Sequence, residues 1–162
     1  MRKRLAWLVV LSLIVGLAAA GTVSARDRTV NITARLVGAQ EVPPADPDGR
    51  AKATLRINVD AGEVCFVLKN FKDTGAPNRG HIHKAPAGSN GPIVVPFFDL
   101  QTAASATDPR LDALEDGRLA DCVPGDPAIL ADIVANPDQY YVNVHNARFP
   151  AGSLRCQLET SG

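Results

Sequence analysis

Ala51-Lys52-Ala53-Thr54-Leu55-Arg56-Ile57-Asn58-Val59 and Glu63-Val64-Cys65-Phe66-Val67-Leu68-Lys69-Asn70-Phe71, joined by Asp60-Ala61-Gly62, decide the fold. In the first arm Ala51, Ala53, Leu55 and Ile57 alternate with Lys52, Thr54 and Arg56; in the second, Val64, Phe66 and Leu68 repeat the period. Successive side chains of a strand point to opposite faces, so this spacing builds a ribbon with one apolar and one wetted face. The connecting triplet ends in Gly62, which can take the left-handed position of a bulged three-residue turn. The pair reads as an antiparallel hairpin.

Outward from the hairpin the same alternation recurs at residues 29–37, 80–84, 93–98, 140–146 and 153–160, between clusters of Pro, Gly and Asp. About seven short strands with mostly short connections predict an all-β fold, an immunoglobulin-like antiparallel β-sandwich. One short helix is expected where Asp126 caps Pro127 and Ile129, Leu130, Ile133 and Val134 share a face, stopped by Asn136-Pro137. Asp108-Pro109 can start a second single turn with Leu111 and Leu114 inward. Residues 99–125 form a long connection carrying Asp99, Asp108, Asp112, Glu115, Asp116 and Asp121. It reads as a solvated loop, with a cover over a site as the alternative.

Ahead of the strands, Arg2, Lys3 and Arg4 precede an apolar run over residues 5–20, and Val23-Ser24-Ala25 places small residues at a cleavage spacing. Residues 1–25 therefore read as a secretory signal peptide, and 26–162 as a single exported domain, secreted or held in the cell envelope. A retained anchor is the alternative, although the run is short for a bilayer. No second apolar span follows, so no membrane span is expected after signal removal. Lys plus Arg equals Asp plus Glu at 17 each, with no basic run beyond the first four residues. A nucleic-acid partner is not expected.

In an oxidising compartment Cys65, Cys122 and Cys156 can form one bridge and leave one thiol, with three pairings possible. Alternation puts Cys156 on the buried face beside Leu154 and Leu158, which favours it as the remaining thiol and Cys65–Cys122 as the disulfide.

The histidines carry the chemistry. His81 and His83 flank Ile82 and so share a strand face, and His145 shares its face with Asn143 and Tyr141. If these strands meet, three imidazoles could hold zinc or copper with a further position open. Alternatively, the rings only hydrogen-bond their surroundings. Glu41, in Gln40-Glu41-Val42-Pro43-Pro44, could with Asn143 support a ligating imidazole from behind, or pair with a base such as Arg155. Asp73-Thr74-Gly75 and Asp46, Asp48, Gly49 read as turns. No Gly-x-Ser-x-Gly, phosphate loop or dinucleotide fingerprint is found.

Four motifs occur in order: Leu36-Val37-Gly38-Ala39-Gln40-Glu41-Val42-Pro43-Pro44; His81-Ile82-His83-Lys84-Ala85-Pro86-Ala87-Gly88-Ser89-Asn90-Gly91-Pro92; Tyr140-Tyr141-Val142-Asn143-Val144-His145-Asn146; and Phe149-Pro150-Ala151-Gly152-Ser153-Leu154-Arg155. Together they resemble the CHRD domain of chordin and of many exported bacterial proteins. Ala85 and Cys156 depart from the glycines usual there. The resemblance implies an all-β immunoglobulin-like module, with Cys65 and Cys122 where bacterial members often carry their pair. It leaves the activity open. The expected function is a non-catalytic exported binding module for an extracellular protein, glycan or small ligand, with a divalent metal at His81, His83 and His145. The alternative is a metal-dependent redox or hydrolytic protein distantly similar to copper/zinc superoxide dismutase, disfavoured because the chain has three histidines in all.

Overall fold

A computed structural model describes residues 28–101 and 117–159. The expected signal peptide and the turn containing Leu111 and Leu114 lie outside these residues. Among the described residues eight strands, β1 (Thr29–Val37), β2 (Arg50–Asn58), β3 (Glu63–Lys72), β4 (Arg79–Lys84), β5 (Ile93–Asp99), β6 (Arg118–Pro124), β7 (Tyr140–His145) and β8 (Leu154–Gln157), are accompanied by one α-helix, α1 (Pro127–Ala135). All pairings are antiparallel. The strands form one sheet in the order β5-β4-β7-β8-β1-β2-β3-β6. Its two edge strands, β5 and β6, approach each other, so the sheet curls into a nearly closed barrel.

The all-β antiparallel expectation holds, but there are eight strands and the hydrogen bonding runs through a single sheet. The added strand is β6, within the stretch read as an acidic loop. Only Leu119 of its seven residues is fully buried, because an edge strand that faces water on most positions shows almost no apolar period. Cys122 lies directly opposite Cys65 in the β3–β6 register, and the two form a disulfide. Cys156 is free and half-buried, as alternation indicated.

The barrel interior is filled by the alternating residues. Leu36, Leu55, Ile57, Leu68, Ile82 and Leu154 have no exposed surface, and each such side chain contributes roughly 1.5–3 kcal/mol of hydrophobic stabilisation. Phe66 of β3 stacks on Phe97 of β5 with centroids 4.5 Å apart, joining distant strands across the interior. Helix α1 closes one end by inserting Leu130 and Ile133. Asp126 Oδ1 accepts from the amides of Ala128 and Ile129, satisfying donors that the first helical turn leaves without partners. Gly62 adopts φ +63° in the β2–β3 turn, as the hairpin required. Among the described residues no helix is long and apolar enough to cross a membrane.

Candidate metal centre

Strands β4 and β7 are neighbours, with His81 opposite Asn143, His83 opposite Tyr141 and Arg79 opposite His145. Ile82, Val142 and Val144 point into the barrel, which turns the three imidazoles to the outer face of the same strand pair. That face is covered, however: every residue of β7 is buried, because the chain segments after β4 and after β7 fold back over it. His81 is 5% exposed and His145 is 7%, whereas His83 is half-buried. One ring nitrogen from each of the three lies within 4.8 Å of the others.

Backbone carbonyls fix the orientation of two rings. His83 Nδ1 is 2.8 Å from the Gly91 carbonyl and His145 Nδ1 is 2.9 Å from the Pro150 carbonyl. A carbonyl can only accept, so both Nδ1 atoms carry the proton and both Nε2 lone pairs are directed elsewhere. His83 Nε2 lies 3.3 Å from His81 Nδ1. Asn143 Oδ1, which can only accept, lies at the same distance from His81 Nδ1, so that nitrogen carries the proton and its N–H is shared between the amide oxygen and the His83 Nε2 lone pair. Among the described residues His145 Nε2 is buried without a hydrogen-bond partner. An imidazole lone pair kept from water and left unsatisfied has a cost, which a cation would remove. The three side chains could hold a zinc or copper ion once the rings draw together from their separation of up to 4.8 Å, since two nitrogens bound to one zinc stand roughly 3.3 Å apart.

The electrostatics keep the rings neutral. Burial pushes His81 down to about 4, opposed by its hydrogen bond with Asn143 and reinforced by the neighbouring His145 and His83. Burial also lowers His83 and His145, against the carbonyl bonds from Gly91 and Pro150; Arg79 adds to the lowering at His145. Near pH 7 the lone pairs are thus available to a metal.

Behind the rings stands a layer that sequence patterning did not supply. Tyr141 stacks on His83 with centroids 4.7 Å apart and planes 3° from parallel. The guanidinium of Arg155, on β8, lies 3.4 Å from the Tyr141 ring centre, and Arg155 is 1% exposed. It donates to the carbonyls of Ser89 (2.9 Å) and Pro86 (3.2 Å), holding the loop that presents the Gly91 carbonyl to His83. Alternation alone gives Arg155 to solvent, opposite the inward Leu154. The available clue was compositional, in the polar loop 86–91 that must cover something. Arg79, at the start of β4, carries no local signal of its role; its guanidinium donates to the Pro150 carbonyl at 2.6 Å and fixes the acceptor for His145.

Asn143 and Glu41 sit where support for the rings was expected. Asn143 Oδ1 is 3.3 Å from His81 Nδ1. Glu41 is 5% exposed and lies near Asn143, whose amide lowers its pKa and also faces His81, while Glu41 Oε1 is buried without a hydrogen-bond partner among the described residues. The anticipated ion pair of Glu41 with Arg155 is not present among the described residues, although the arginine's charge acts on it. Burial dominates and raises Glu41 from 4.5 to about 7. A second cluster of potential ligands, Glu63 with Cys65 and Cys122, has its sulfurs committed to the disulfide.

Fold and site thus define a small antiparallel β-domain with a covered histidine cluster on its outer face. The chain matches the CHRD domain over residues 32–158 and belongs to that family. No similar curated protein and no similar solved structure is found.

Proposed function

We propose that this protein is an exported, non-catalytic binding module that takes up one divalent transition metal, zinc or copper, through His81, His83 and His145. The observation that carries this reading is the convergence of three imidazole nitrogens within 4.8 Å, with His83 and His145 held by backbone carbonyls through Nδ1 and the His145 Nε2 left buried and unpartnered among the described residues. Such carbonyl-oriented imidazoles characterise metal sites, where the partner on one nitrogen fixes the tautomer and aims the other. Asn143 acts on His81, and Glu41 acts behind Asn143. Three protein ligands leave a coordination position for water or for an incoming group, and this opening is where the module would meet a ligand. The Cys65–Cys122 disulfide and family membership support an oxidising, extracytoplasmic setting, reached after removal of residues 1–25. The redox or hydrolytic alternative has no specific observation in its favour.

Calorimetric titration of the chelator-treated protein with Zn2+ and Cu2+ at pH 7.5 tests the reading. One equivalent should bind with sub-millimolar affinity, and His81→Ala should weaken binding strongly. Equal heats from wild type and His81→Ala would refute the assignment.

A further inference from the structure

The outer face of the other half of the sheet carries an arrangement with no part in the histidine cluster. In the registers of β1 with β2, β2 with β3 and β3 with β6, Arg35 is opposite Lys52, Lys52 is opposite Lys69 and Lys69 is opposite Arg118. Four cations thus form one row across four adjacent strands, on the outward side of each. Like charges directly opposite on neighbouring strands destabilise a sheet, and here the unfavourable pairing occurs three times in succession. Among the described residues none of the four is in an ion pair, whereas adjacent Arg50 and Arg56 are neutralised by Asp73 and Glu63. Beside the row lies a depression of about 580 Å3, lined by Arg35, Arg50, Lys52, Asn70, Lys72 and Thr33. No aromatic side chain lines it, so it offers no stacking platform for nucleobases.

We infer that this cation row is a binding site for a linear polyuronate, an acidic polysaccharide with one carboxylate on each sugar ring. The charges of the row repeat at the strand spacing of about 4.8 Å and lie along a line that an extended linear polyanion can follow. Thr33 and Thr54, opposite each other one row away, add hydroxyls suited to sugar hydroxyl groups. The row did not appear in the linear sequence because its members come from four separate strands; the net charge conceals it. It lies on strands other than those carrying the histidines, so its success or failure is independent of the metal reading.

The test is affinity electrophoresis and calorimetry of the purified protein with polygalacturonate at low ionic strength, with dextran and polyphosphate as comparisons. Polygalacturonate should bind, salt should weaken the binding, and dextran should not bind. Lys52→Glu should lower affinity roughly tenfold or more. The same change places a carboxylate between Arg35 and Lys69, so its thermal midpoint should stay level or rise, separating lost binding from misfolding. Arg148→Gln, off the row, should leave binding unchanged. No binding of polygalacturonate, equal binding by Lys52→Glu, or equal binding of polyphosphate would overturn the inference.

Discussion

Replacing Glu41 by glutamine tests the environment assigned to the layer behind the histidines. Glu41 is buried, lies near Asn143 and keeps its proton up to about pH 7, against 4.5 for an ordinary glutamate. A group whose pKa is raised by folding stabilises the folded state fully below its unfolded pKa, and that contribution disappears as pH rises through the folded value. The shift is worth up to about 3 kcal/mol, at roughly 1.4 kcal/mol per pKa unit. Glutamine has nearly the same shape and no carboxyl proton to lose. Urea unfolding of metal-free wild type and Glu41→Gln, followed by circular dichroism from pH 4.5 to 8.5, isolates the effect, because the histidines titrate alike in both proteins. The variant should gain on wild type as pH rises, by about 3 kcal/mol across the range. A difference that stays constant with pH would refute the buried, protonated assignment.

The histidines act with the opposite sign. His81 titrates at about 4 in the folded protein rather than 6.5, so the metal-free protein should lose stability as pH falls from 6.5 towards 4, and His81→Gln should flatten that slope in acid unfolding curves. Metal affinity measured by calorimetry should for the same reason persist further into acid than for ordinary histidines, because burial lowers all three rings. Arg155→Met keeps much of the buried volume but releases Pro86 and Ser89, so zinc affinity should fall by roughly tenfold or more while the far-ultraviolet spectrum is preserved. Exchanging both Cys65 and Cys122 for serine opens a loop with a sequence separation of 57 and should cost about 4 kcal/mol of unfolding free energy, read as a lower urea midpoint.

The strands that show a period of two were legible because one face of each meets the barrel core. Ala51, Ala53, Leu55 and Ile57 announce β2, and Asp126-Pro127 announces α1, through local chemistry. Strand β6 was not legible, since an edge strand faces water on most of its positions and Asp121 and Cys122 resemble loop residues. The shared face of His81 and His83 follows from Ile82 between them, but their meeting with His145 depends on β4 pairing with β7 across the chain, which no local pattern encodes. Arg155 was the most concealed: its burial comes from a loop folding over the outer face, so that a position alternation assigns to water becomes a covered stack on Tyr141. The Arg35-Lys52-Lys69-Arg118 row was hidden for the same reason, as register assembles it.

The central claim is that three imidazoles take one metal ion. Anomalous diffraction at the zinc edge from crystals of the zinc-loaded protein tests it most directly. A single strong peak within about 2.0–2.1 Å of one nitrogen each from His81, His83 and His145 is the predicted result. A peak elsewhere, or one bonded to only one of these rings, would contradict it.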